Sequence, residues 1–163
     1  MAAAVLTVAV ASCSPGSSSP PGPPGQAAVV AVVDGDTIEV RLGGHRERVR
    51  LLGIDTPETV DPRKPVQCFG TEASRRTKAL LPPGTLVRLE RDAEARDIYG
   101  RLLAYVRRVD GTFVNLALLE EGYAQVLSIP PNVAYSSVFA AAARDARVAG
   151  RGLWSACPVG AGR

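Results

Sequence analysis

The sequence predicts an α+β domain, mainly β, built on a five-stranded barrel with three helices. Apolar and polar residues alternate through Thr37–Leu42 and Arg46–Leu52, the period of half-buried strands. Tight-turn dipeptides, Asp34-Gly35 and Gly43-Gly44, join the first three strand-like segments. Helix-forming stretches enter only after the third strand, so the first three strands form a meander.

The elements run in order along the chain. Ala28–Val33 is an apolar, β-branched run that stops at Asp34-Gly35. Thr37–Leu42 (TIEVRL) turns at Gly43-Gly44 into Arg46–Leu52 (RERVRLL), with Val49 and Leu51 on one face and Arg48 and Arg50 on the other. Asp55–Gly70 reads as a polar, proline-containing loop, long enough to suggest function. Thr71–Leu81 reads as a helix, with Thr71 as its cap and Pro82-Pro83-Gly84 as its stop. Thr85–Arg91 and Arg101–Arg108 read as two further strands, the second closing at Asp110-Gly111. Val114–Glu121 reads as a short helix ended by Gly122, with a short strand after it. Ala134–Val148 is an Ala-rich helix ended by Gly150 and Gly152, with Leu153 and Trp154 packing beyond it. A five-stranded, partly open barrel with a helix after its third strand is the plan of the OB-fold.

Composition limits the chemistry. The chain has 163 residues and a net charge of only +3, so affinity for an anionic polymer would have to come from local clusters. Its seventeen arginines against two lysines suit two-point contact with phosphate, although high-GC coding explains most of that bias. The one histidine, His45, sits in a turn, which excludes zinc sites and hydrolases that need paired histidines.

The first 26 residues read as a separate object. Ala2–Ala11 is an uncharged run too short to span a bilayer and of signal-peptide length. Val10-Ala11-Ser12-Cys13 resembles a bacterial lipobox, which would make Cys13 the lipidated residue; no Lys or Arg precedes the run, and a disordered Ala-rich tail is the competing reading. From Ser14 to Gly25 only Ser, Pro and Gly occur, a tether of ~40 Å at polyproline rise. The expected division is therefore a signal segment (1–13), a linker (14–26), a folded domain (27–157) and a tail (158–163), in an exported or surface-anchored protein.

Three blocks carry the chemistry: Asp34-Gly35-Asp36-Thr37; Arg50 through Glu58 (RLLGIDTPE); and Asp97-Ile98-Tyr99-Gly100-Arg101. Each alone is an ordinary turn, cap or strand entry. Together and in this order, from about Val29 to Trp154, the sequence resembles the staphylococcal nuclease (thermonuclease) family. The resemblance implies that Asp36 and Asp55 bind Ca²⁺ through carboxylates and Thr56 through its carbonyl. It implies that Arg50 and Arg101 grip the scissile phosphate, that Glu58 is the candidate base, and that Tyr99 contacts substrate. A phosphodiester gathers negative charge on its equatorial oxygens during in-line attack, which two arginine forks and a cation can neutralise. An all-oxygen ligand set calls for Ca²⁺ or Mg²⁺ and not Zn²⁺, and two carboxylates imply modest affinity.

By the same resemblance the expected activity is that of a calcium-dependent nuclease on DNA and RNA that leaves 3′-phosphates. It would act as a monomer, touching membrane only through an anchor at Cys13. Two departures bear on the substrate site. Val126–Asn132 supplies no tyrosine to stack on a nucleotide, and Ile98 stands where a lysine often precedes the tyrosine; Arg63-Lys64 in the loop could replace some of that charge. Cys68 and Cys157 form an even pair in an exported domain, which favours a disulfide over two buried thiols. The competing functional readings are a non-catalytic nucleic-acid-binding OB module, against which the five intact site side chains speak, and a structural surface lipoprotein, which leaves the three blocks unexplained.

Overall fold

The computed structural model describes residues 25–59 and 65–157. The expected signal segment with Cys13, most of the linker, the Arg63-Lys64 pair and the C-terminal tail lie outside the described residues. The strands are β1 (Gln26–Asp34), β2 (Thr37–Leu42), β3 (His45–Leu51), β4 (Gly53–Asp55), β5 (Leu86–Glu90), β6 (Leu102–Arg108) and β7 (Gln125–Leu127). The helices are α1 (Gly70–Leu80), α2 (Val114–Glu120), α3 (Ser136–Val148) and a one-turn α4 (Leu153–Ala156).

The barrel runs β1-β2-β3-β6-β5 and is closed, because β1 pairs β5 through Gln26↔Arg88, Ala27↔Val87 and Ala28↔Leu86. β2 pairs β3 without a break from Thr37↔Arg50 to Leu42↔His45. β3 and β6 run parallel, Val49 beside Leu102 and Leu51 beside Ala104. Alternation does what it predicts: Ile38, Val40, Val49, Leu51, Val87 and Val106 fill the interior and are fully or almost fully buried.

Helix α1 lies across the start of the barrel, and its buried Thr77 donates to the Gly35 carbonyl at 2.6 Å. The helix therefore holds the turn between β1 and β2. It does not begin with a Thr71 cap. Its N-cap is Phe69, in a left-handed conformation (φ 67°) with no side-chain cap bond, and its ring stacks on Tyr123 with centroids 5.4 Å apart. Tertiary packing sets this helix start, overriding local cap preference. Buried Asn115 of α2 accepts from Val106 N and donates to Leu52 O, both at 2.8 Å, which joins α2 to β6 and to the end of β3.

The short strand expected after α2 is present as β7, and its partner β4 lay beyond the alternation signal. β4 and β7 make a separate two-stranded sheet, Gly53↔Leu127 to Asp55↔Gln125. Gly53 adopts φ +75°, and a Cβ there would stand 2.5 Å from the Phe139 ring, so α3 packs directly on that backbone. Cys68 and Cys157 are joined by a disulfide across 89 residues. Among the described residues no helix is long and apolar enough to cross a membrane.

Candidate active site

The site is built where β1–β2, the end of β3, β4 and the entry to β6 meet. The turn after β1 brings Asp36 inward. Asp36 is buried, and its Oδ2 accepts from the Thr56 amide at 3.0 Å and the Thr56 hydroxyl at 3.2 Å. Its Oδ1 accepts from the Thr37 hydroxyl at 3.0 Å. Gly35 is required by space: a Cβ would lie 2.5 Å from Thr56 Oγ1.

Arg50, on the outer face of β3, is held at both ends of its fork. Nη1 donates to the Leu51 and Ile54 carbonyls at 2.8 Å each. Nη2 lies 2.9 Å from Asp55 Oδ1 and 3.1 Å from Asp36 Oδ2. Two carboxylates thus converge on one cationic nitrogen. Limited access to water raises the Asp55 carboxyl first; Arg50 pulls it down, and Asp36 and Glu58 push it up again, leaving it above the ordinary carboxylate value. The side chain is 55% exposed, so solvent moderates this shift.

The convergence also tests the expected metal. Among the described residues no group of three or more His, Cys, Asp and Glu side chains stands in metal-holding geometry. What stands together is a pair of carboxylates, with Thr56 fixed beside one of them. Their all-oxygen chemistry fits a hard, oxygen-preferring cation, which Asp36, Asp55 and the Thr56 main chain would hold.

Glu58 lies three residues beyond Asp55 and is half-buried. Its main chain is pinned on both sides: its amide donates to Gln67 Oε1 at 2.9 Å, and its carbonyl accepts from Gln67 N at 3.0 Å. Asp34 anchors the next residue, accepting from the Thr59 hydroxyl at 2.5 Å. Burial pushes the Asp34 carboxyl up; the Thr59 hydroxyl bond lowers it, and a hydrogen bond shared with Glu58 raises it again, for a net rise. Asp34 and Gln67 are positioning residues that sequence reasoning missed. Asp34 was hidden by the strength of Asp-Gly as a turn signal, and Gln67 carries no local signal at all.

Arg101 enters from the other side. Asp97 accepts from its Nε at 2.7 Å and from its main-chain N at 2.9 Å. Burial opposes ionisation of Asp97, but the Arg101 bonds outweigh it and hold the carboxyl below its ordinary value. The i, i+4 spacing of Asp97 and Arg101 was visible in the sequence, but a strand entry gave no reason to read it as a pair. Tyr99 is 78% exposed, and the Arg101 guanidinium lies 5.5 Å from its ring centre.

Arg50, Arg101 and Tyr99 share the wall of an open groove of about 510 Å³. Leu103, Leu127, Ile129 and Ile98 add aliphatic lining, and Glu94, Arg96, Asp97 and Asn132 also line it. The segment Val126–Asn132, which lacks tyrosine, therefore borders the groove with aliphatic side chains.

Residues 48–156 match the sequence profile described as Staphylococcal nuclease homologue. The chain is 46% identical over 126 residues to "Thermonuclease" of Staphylococcus intermedius, covering 77% of this chain and 74% of that protein. It is 42% identical over 127 residues to "Thermonuclease" of Staphylococcus hyicus, covering 78% and 74%. It is 45% identical over 125 residues to "Endonuclease YncB" of Bacillus subtilis, covering 76% of this chain and 58% of that protein. With the barrel, the paired carboxylates and the two arginines of the groove in place, the chain belongs to the staphylococcal nuclease homologue family.

Proposed function

We propose that this nuclease, a hydrolase of phosphodiester bonds, depends on calcium, cuts both DNA and RNA, and leaves 3′-phosphates. The observation that carries the reading is the meeting of Asp36 and Asp55 on Arg50, with Arg101 across the same groove. A bound Ca²⁺ would neutralise phosphate charge and lower the cost of deprotonating water. The protein groups do the rest. Among the described residues the Nη nitrogens of Arg101 make no hydrogen bond, so both can meet phosphate oxygens while Asp97 fixes the Nε side. Arg50 is locked by its two carbonyl acceptors, which pre-orients the charge that the transition state needs. Glu58, held by Gln67, takes the proton of the attacking water.

The aliphatic lining offers no donor or acceptor to a ribose 2′-hydroxyl, which supports acceptance of both nucleic acids. The Cys68–Cys157 disulfide supports export to an oxidising compartment, by a signal segment that is either cleaved or lipidated at Cys13.

Cleavage of plasmid and of RNA in chelator and in millimolar Ca²⁺ or Mg²⁺ tests the proposal. Chelation is expected to abolish cutting, and Ca²⁺ to restore it better than Mg²⁺. Full activity in excess chelator overturns the metal, and end-group analysis of the products decides the 3′-phosphate.

A further inference from the structure

Beside the groove lies a second hollow, of about 460 Å³, lined by Arg48, Tyr99, Gly100 and Arg101. Arg48 stands on the same outer face of β3 as Arg50, two residues before it, roughly 7 Å away at strand rise. The parallel ladder that sets Val49 beside Leu102 brings Arg48 level with Arg101. Three guanidinium groups thus share one surface, and Arg48 is the outermost.

A charge run on a strand is ordinarily a solvated face balanced by acids across the ladder. Here the acids are engaged elsewhere. Glu39 is the cross-strand partner of Arg48, but its carboxylate is taken by Arg46 at 2.6 Å. Glu47 is held two-fold by Arg96, at 2.9 and 3.0 Å. Among the described residues the Arg48 side chain makes no hydrogen bond or ion pair, and it borders a hollow that opens beside a phosphate-facing arginine. Neighbouring Ile98 is 92% exposed and offers that surface no charge.

We propose that Arg48 is the binding residue of a second phosphate subsite, one that holds the phosphodiester next to the bond being cut and so favours polynucleotides over substrates with a single phosphodiester. The proposal rests on the nuclease reading for its orientation. The spacing of Arg48 and Arg50 along one strand face suits consecutive phosphates of an extended single strand, and Tyr99 lines both hollows.

The test compares wild type with Arg48→Ala, Arg48→Lys and, as a control for net charge, Arg144→Ala, an arginine 71% exposed on α3. Two substrates are used, single-stranded octathymidylate and the dinucleotide thymidylyl-thymidine. Arg48→Ala is expected to lower the octamer-to-dinucleotide ratio of kcat/KM about tenfold, through KM, as loss of one charged contact does. Arg48→Lys is expected to recover most of that ratio, and Arg144→Ala to keep it. In parallel, anisotropy of a fluorescein-labelled octathymidylate in chelator reads binding alone. There Arg48→Ala is expected to reduce the slope of log K against log salt by about 0.7, and Arg48→Lys to keep it. A wild-type ratio and slope in Arg48→Ala overturns the subsite, as does an equal fall in Arg144→Ala. If wild type cuts neither substrate in calcium, the nuclease reading fails, and the binding slope alone still decides whether Arg48 holds a phosphate.

Discussion

Arg50 gives Nη1 to two main-chain carbonyls and Nη2 to two carboxylates, whereas among the described residues the Arg101 side chain donates to Asp97 alone. Replacing Arg50 with lysine therefore removes more than a catalytic fork. It strips the Leu51 and Ile54 carbonyls of their donor and weakens the pairing of buried Asp36, at a cost of about 1–3 kcal/mol. Arg101→Lys disturbs one partly buried pair, strips no carbonyl of its donor, and is expected to melt near wild type. Both should lose on the order of 10²–10³ in turnover, because a lysine point charge cannot span two phosphate oxygens. Glu58→Gln should lose comparably, since an amide cannot take the water's proton. Melting curves measured beside the rates separate the two arginines: Arg101→Lys loses rate without stability, Arg50→Lys loses both. Near wild-type cleavage in all three variants, with folding intact, would refute the site.

At the scale of elements, the groove is shaped by one carboxylate that joins the loop after β5 to the approach to α3. Asp92 Oδ2 accepts from Tyr105 Oη at 2.8 Å and from Ala134 N at 2.9 Å, while Oδ1 accepts from Ala93 N. Two residues on, Glu94 N donates to Asn132 Oδ1 at 2.8 Å, so two segments that line the groove are tied together. The Ala134 amide bond holds the Asp92 carboxyl below its ordinary value, with help from Tyr105 and Ala93 against partial burial. A lowered folded pKa means stabilisation that is complete above the unfolded value of about 3.9 and fades as pH falls through the folded one. Asp92→Ala is expected to cost about 2 kcal/mol at pH 7 in urea unfolding, and the gap from wild type should shrink toward pH 2. A gap constant across that range would mean that the charge is not what stabilises. These contacts also show what sequence could and could not convey. The DGDT, RLLGIDTPE and DIYGR blocks are short and contiguous, so chemistry and turn geometry are written where they act. A short strand after α2 was expected, but β4 was not, because its three residues pair only with Gln125–Leu127 far along the chain. The start of α1 depends on Phe69 stacking against Tyr123, and no cap rule contains that contact. Arg48 looked like any outward residue of an alternating strand until its acidic neighbours proved to be engaged elsewhere.

Across the whole molecule, the far end of the chain reaches the candidate base through two links. Cys157 comes directly after α4 and is bonded to Cys68; Gln67, next to Cys68, clasps Glu58 by its side chain and its amide. The disulfide therefore has two separable effects. As a cross-link over 89 residues it restricts the unfolded chain, with an upper figure of roughly 4–5 kcal/mol. As the neighbour of Gln67 it also limits the motion of the Glu58 main chain, and misplacement of a proton acceptor by a fraction of an ångström slows chemistry without weakening binding. The double variant Cys68→Ala, Cys157→Ala is expected to melt well below wild type. At a temperature where it remains folded, its kcat should fall on the order of tenfold with KM little changed. Gln67→Ala in the oxidised protein should reproduce the kcat loss and keep most of the melting temperature, because it breaks the clasp and leaves the cross-link. If the double variant loses stability but turns over at the wild-type rate below its melting point, the bridge acts only on the unfolded chain, and Glu58 is held by the loop itself.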